Sequence, residues 1–187
     1  MDVEQKDKNL DTSTEPINIA YIDEANLDKA LKLTLGWKLD YARFRIWLSE
    51  KYDVKRAYIF IGMIPKYKDL YTYFQECGFT LIFKEVVYKN GVTPKGNCDS
   101  DLIMQATEDY YAKDLRKAII VASDGDYAPL LKMLAKNNSL EVVISPSPAK
   151  KCSILIKRIG CAISYLNEKR SILEKRKEKA PNTDGTV

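Results

Sequence analysis

The sequence predicts an α/β domain with a central, mainly parallel five-stranded sheet between two layers of helices. Three observations lead there. Apolar runs of strand length recur along the chain: INIAYID (17–23), RAYIFIGM (56–63), TLIFKEVVYK (80–89), KAIIVAS (117–123) and LEVVIS (140–145). They are continuous rather than alternating, as strands covered on both faces are. Segments with helical spacing separate them, an alternation that builds parallel sheets with right-handed crossovers.

Each element has its own justification. After the first strand, NLDKALKLTL (26–35) has helical spacing and Gly36 ends it. DYARFRIWLSEKY (40–52) puts Phe44, Trp47 and Leu48 on one helical face. Pro65 breaks the second strand, and KDLYTYFQECG (68–78) reads as a helix closed by Gly78. Asn90-Gly91 turns the chain after the third strand, before a helix over SDLIMQATEDYYA (100–112). YAPLLKMLAKN (127–137) is helical between the fourth and fifth strands, and CSILIKRI (152–159) is helical after the fifth. AISYL (162–166) is a short apolar run that allows a sixth strand, and EKRSILEKRKEK (168–179) reads as a charged terminal helix. With no internal repeat, the expected organisation is a disordered arm over 1–16, one domain over 17–166, and the charged helix with a frayed tail over 167–187.

Composition excludes several chemistries. The 187-residue chain holds no histidine. That removes Ser-His-Asp triads, Cys-His dyads and HExxH zinc sites. It also argues against metal-free acid–base cleavage of RNA by histidines. The four cysteines form no CxxC pair and the first residues are not a signal peptide, so a reduced, cytoplasmic setting is expected. The densest apolar stretch, Ile59 to Ile64, is far too short to span a membrane. The net charge of +4 is modest, with an acidic first segment and a mildly basic body. That balance permits contact with nucleic acid without requiring it.

The informative feature is where the acids fall. Asp23 ends the first strand, and Asp124 and Asp126 follow the fourth. In an open parallel sheet, ligands bind outside the carboxyl ends of strands where strand order reverses. If the first and fourth strands are neighbours, these acids share one crevice, and Asp99 and Asp101 in KGNCDSD can join them. Asp23, Asp99 and Asp124, taken singly, also precede helices where Asp is favoured as a cap. The set is harder to explain by capping. Two like charges about 4 Å apart repel by about 4 kcal/mol at an effective dielectric near 20. A hard cation, Mg²⁺ or Mn²⁺, removes that penalty.

Three segments also resemble the motifs of NYN domains, a branch of the PIN-like nucleases. They are YIDEANL with Asp23 and Asn26, KGNCDSDL with Lys95, Gly96 and Asp99, and SDGDYAPL over 123–130. The resemblance covers about residues 17–166, and its third motif is the most specific. It implies a PIN-like three-layer α/β/α fold and a Mg²⁺- or Mn²⁺-dependent endoribonuclease site. Asp23, Asp99, Asp124 and Asp126 would form the acidic quartet, with Asn26 shaping the site beside Asp23. The sequence departs from the family at Gln105, where members often carry another Asp; Asp101 is an extra acid that can compensate. The expected partner is RNA, not a membrane, with a homodimer left open.

Other residues have both a structural and a functional reading. Lys95 and Lys84 can meet phosphates or be solvated. Ser145, Ser147, Lys150 and Lys151 in SPSPAKK can seat a phosphate backbone or belong to a Pro-stiffened loop. Ser123 can bond a phosphate or hold the Asp124 turn. Tyr127 is expected to pack under the acidic loop, and Cys98 to be an ordinary small residue. Two functions compete with the nuclease. A non-catalytic RNA-binding module is favoured by Gln105 and the modest charge. A haloacid-dehalogenase-like phosphatase is disfavoured, because Asp23 is followed by Glu24 and Ala25 rather than by a second Asp two residues on.

Overall fold

In the computed structural model, which describes residues 15–84 and 98–176, six strands form a single sheet in the order β3-β2-β1-β4-β5-β6. They are β1 (Ile17–Asp23), β2 (Val54–Gly62), β3 (Thr80–Lys84), β4 (Leu115–Val121), β5 (Leu140–Ser145) and β6 (Ile163–Tyr165). Every neighbouring pair is parallel. The apolar run at 162–166 thus supplies the sixth strand that the sequence allows.

The continuous apolar strands have a direct cause. Alternate residues of β1 enter different cores: Ala20 and Ile22 pack on one face of the sheet, Ile19 and Tyr21 on the other. The first face is covered by α1 (Glu24–Ala30), α2 (Tyr41–Tyr52) and α3 (Lys68–Glu76), which contribute Leu27, Phe44, Leu48 and Phe74. The second is covered by α4 (Asp99–Tyr111), α5 (Ala128–Lys136) and α6 (Ile154–Lys157), which contribute Leu102, Leu131, Leu134 and Ile156. Both faces being dry, no position of β1 or β4 in the middle of the sheet can be polar without a partner.

Several elements differ from expectation. The first helix begins at Glu24 because the Asp23 carboxylate caps it, accepting from the Asn26 N–H at 3.0 Å. Its continuation, Leu31–Leu35, widens into a π-type turn that ends at Gly36, whose φ of 69° suits glycine. The helix expected over 152–159 shortens to Ile154–Lys157.

The largest difference is at the C-terminus. Of the charged helix expected over 168–179, the described part, 168–176, holds a single α-helical turn, α7 (Arg170–Leu173), after which Glu174 bridges Leu39 in an antiparallel sense. Two backbone bonds hold this strap: the Asp40 N–H donates to the Leu173 carbonyl at 2.9 Å, and the Lys175 N–H to the Lys38 carbonyl at 2.8 Å. Leu166 and Leu173 are fully buried in the α1–α3 core. Burying these leucines and pairing with 38–40 outweighs the helix propensity of the charged run. Residues 1–14 of the arm expected over 1–16, residues 85–89 of the expected third strand, the turn expected at Asn90-Gly91, Lys95, Gly96 and residues 177–187 lie outside the described residues.

Candidate active site at the β1/β4 edge

Strand order reverses at β1: the chain runs β1 to β2 to β3 in one direction, then crosses back to place β4 on the other side of β1. Ile22 is level with Val121. The end of β1 and the turn after β4 therefore leave the sheet side by side, at the position where open α/β sheets bind ligands.

Asp23 is buried there, 5% exposed. Its Oδ1 caps α1, and its Oδ2 accepts a 2.8 Å hydrogen bond from the Tyr127 hydroxyl. The same hydroxyl lies 2.6 Å from Asp99 Oδ1. Tyr127 is thus a strut between two carboxylates from elements more than seventy residues apart in sequence. It is fully buried at the start of α5. Burial raises the Asp23 carboxyl above the ordinary carboxylate range, and the charges of Asp99 and Asp124 raise it further, against the hydrogen bonds from Asn26 and Tyr127. Burial and the two carboxylates also push the Tyr127 phenol far above its usual value, so it stays protonated and donates.

A second network ties the two strand ends together. Asn26 Oδ1 accepts from the Ser123 N–H at 3.0 Å and from the Ser123 hydroxyl at 2.9 Å. Ser123 Oγ also lies 3.0 Å from Ser147 Oγ. Asn26 therefore fixes Asp23 through its backbone and the Asp124 turn through its side chain. Asp124 is exposed, and its Oδ1 accepts from the Asp126 N–H at 3.3 Å, closing the tight turn Gly125–Tyr127. Asp126 is exposed as well.

The capping explanation thus holds locally for Asp23 and Asp124. It fails for Asp99, which is the first residue of α4, behind Cys98 at the cap position. The structure joins Asp23 and Asp99 through the Tyr127 hydroxyl and sets Asp124 within electrostatic reach of Asp23. Asp101 instead carries a salt bridge to Lys84 at 2.9 Å. Lys84 is engaged there and with Ser100 Oγ at 3.3 Å. Gln105 donates to Asp109 at 2.9 Å, and Asp109 also accepts from Tyr21 at 2.7 Å.

Among the other expected contacts, Ser145 is fully buried and donates to the Ser147 carbonyl at 2.6 Å, so it shapes the loop and cannot touch substrate. Lys150 is exposed. Lys151, not Lys150, lines a polar cleft of about 470 Å³ with Lys29, Asn26, Ser123, Asp124 and Ser147. Lys29 and Glu24 were not singled out in the sequence. Lys29 lies three residues after Asn26 on the same helix face, and that spacing was the available signal. Burial, chiefly, holds the Cys98 thiol up at about 11, so it is not a nucleophile.

The NYN domain family model matches residues 18–158. The chain belongs to the NYN domain family, within the PIN-like nuclease superfamily. A solved structure of a protein of unknown function from Vibrio parahaemolyticus RIMD 2210633 is similar to it, with a TM-score of 0.67 and 20% identity over 86% of this chain and 98% of that one. That likeness supports the three-layer fold alone. No curated protein matches the chain. Among the described residues no helix is long and apolar enough to cross a membrane.

The donor set suits a hard cation. Carboxylate oxygens are the chemistry that Mg²⁺ and Mn²⁺ take, and Mg²⁺ needs only one or two carboxylates when substrate phosphate and water complete its shell. Among the described residues no three Asp, Glu or Cys side chains gather closely enough to cage a metal unaided. Asp23 and Asp99, linked through Tyr127 with Asp124 nearby, fit the open kind of site that keeps waters.

Proposed function

We propose that this NYN domain is a metal-dependent endoribonuclease that hydrolyses RNA phosphodiester bonds at the β1/β4 edge. The observation that carries this reading is the pairing of Asp23 and Asp99 by one buried tyrosine hydroxyl, beside a lysine- and hydroxyl-lined cleft that reaches Asp124. Carboxylates alone do not recognise RNA, and lysines alone do not cut it. Their adjacency in a histidine-free chain supports phosphodiester hydrolysis over plain binding.

Asp23 and Asp99 would hold Mg²⁺ or Mn²⁺. The bound ion would neutralise phosphate charge and acidify water. Tyr127 keeps the two carboxylates in register, and Asn26 and Ser123 fix the Asp124 turn against them. Asp124, exposed at the cleft wall, is assigned to orient and deprotonate the attacking water. Lys29 and Lys151, with Ser147, seat the neighbouring phosphate. Asp126 holds the turn through its backbone N–H, with its own carboxylate free to join as an outer ligand.

The test is incubation of the purified chain with single-stranded and structured RNAs in Mg²⁺, Mn²⁺ or EDTA. Cleavage is expected only with a divalent ion, and Asp124→Asn should lose it while keeping the wild-type melting curve. Cleavage in EDTA, or an active Asp124→Asn protein, would overturn the reading. An inert wild type that still binds RNA would establish the non-catalytic module instead.

A further inference from the structure

A second cavity, of about 270 Å³, opens beside the acids on the side away from the lysine cleft. It lies between α1, the end of β2 and the start of α4. Ile61, Ile64 and Leu70 give it an apolar side, the ion pair of Lys32 with Asp28 also lines it, and so does Glu24. Glu24 immediately follows Asp23 yet is only 6% exposed. Its Oε1 accepts from the Tyr41 hydroxyl at 3.0 Å. Its Oε2 is buried and has no hydrogen-bond partner.

An unpaired buried carboxyl oxygen costs about 1–3 kcal/mol, more when charged. Nothing in the local fold demands it, because Asp23 already caps α1. At the cavity wall stands Tyr67, 42% exposed, with the Lys66 ammonium 4.8 Å from its ring centroid. An apolar side, the Tyr67 ring and polar groups that include one unsatisfied carboxyl oxygen together suit a flat heteroaromatic ring with polar edges. The volume falls just below the ~300–1,000 Å³ of sites that enclose whole small molecules. It suits a single ring system, not a whole nucleotide.

We infer that this cavity is a nucleobase subsite, in which a base flanking the scissile phosphate stacks on Tyr67 and hydrogen-bonds Glu24 Oε2. The inference rests on the RNA-cleaving reading above. It adds that the enzyme grips its strand by a base on one side of the acids and by phosphate on the other. Stacking on an aromatic ring tolerates every base, while the edge contact at Glu24 orients the base and so sets the phosphodiester over Asp23 and Asp99.

Binding of a fluorescent single-stranded RNA, measured by anisotropy in EDTA so that the strand stays whole, tests this. A series of the same RNA carries one abasic nucleotide moved along its length. One position should weaken wild-type binding about tenfold, the amount expected for losing one stacked base. Tyr67→Ala and Glu24→Ala should each weaken the intact RNA by a similar factor and leave the abasic RNA unchanged, erasing the penalty. Tyr67 is a surface residue, so its variant reports even if Glu24→Ala fails to fold. An abasic penalty undiminished in Tyr67→Ala, or equal at every position, overturns the subsite alone. Failure of every RNA to bind overturns the RNA reading and the subsite with it.

Discussion

Tyr127 shows how much one hydroxyl can organise. It has a single proton and two carboxylate neighbours, at 2.8 and 2.6 Å. Removing the oxygen leaves Asp23 and Asp99 facing each other across an apolar gap. Tyr127→Phe should therefore cost about 1–3 kcal/mol of stability in EDTA, the cost of a buried hydrogen bond to a charged group. Mn²⁺ should recover part of that loss by binding the folded state between the freed acids. Urea melts of both proteins, with and without Mn²⁺, measure it; an unshifted melt in EDTA would show that the strut carries no load. Glu24 makes the companion case in pH. Burial, reinforced by the charge of Asp28, raises its carboxyl from 4.5 to about 8. The folded chain therefore keeps the Glu24 proton to higher pH than the unfolded chain does. Its contribution to stability is full below about pH 4.5 and is lost as pH rises through 8. The slope reaches about 1.4 kcal/mol per pH unit inside that window. Glu24→Gln does not titrate, so its stability relative to wild type should climb steadily from pH 5 to 8. A constant difference between the two across that range would refute the buried-acid assignment.

At the scale of elements, the turn Gly125–Tyr127 holds Asp124 against the sheet edge with almost no clearance. A Cβ on Gly125 would sit 2.7 Å from Ser153 Oγ and 3.0 Å from Leu155 Cδ1. Ser153 cannot simply swing away, since its Oγ accepts from the Leu155 N–H and caps α6. Gly125→Ala should thus displace the turn or uncap α6, lowering stability by about 1 kcal/mol and reducing RNA cleavage by more than the loss of folded protein explains. Equal activity per folded molecule would mean that the turn has slack. The strands of this edge were legible because burial on both faces writes a continuous apolar run, and because a parallel order leaves the acids at strand ends. The cap at Asp23 followed from the same pattern, whereas a place for Asn26 beside Asp23 came from the family resemblance. What pattern alone did not carry was contact between distant residues. Tyr127 read correctly as packing beneath the loop, but its bond to Asp99 depends on how α4 meets α5. The charged run after residue 167 hid Leu173, whose burial is decided by a partner segment at 38–40. Asp101 and Ser145 looked available in sequence; the first is taken by Lys84 and the second by the Ser147 carbonyl.

Across the whole molecule, the sheet order gathers every part of the candidate site at one edge: acids at the centre, the Lys29–Lys151 cleft on one flank, and the Glu24 cavity on the other. A net charge of +4 is too small to hold a polyanion by long-range field alone. On the proposed RNA-cleaving reading, affinity for the strand comes from a few well-placed cations. Lys151 reaches toward Thr34 Oγ1, 3.4 Å away, across the same cleft that Lys29 lines from α1. This geometry predicts a shallow salt dependence with identifiable contributors. Each phosphate neutralised on a single strand contributes about −0.7 to the slope of log K against log salt. Lys29→Ala and Lys151→Ala should each flatten that slope by about this amount and weaken binding at low salt without altering which base position is gripped. Lys150→Ala, one residue from the cleft lysine but outside the cleft, should change the slope little. Titrations of RNA binding between low and physiological salt distinguish the three variants. Equal slopes for Lys150→Ala and Lys151→Ala would mean that general surface charge, rather than the cleft, holds the strand.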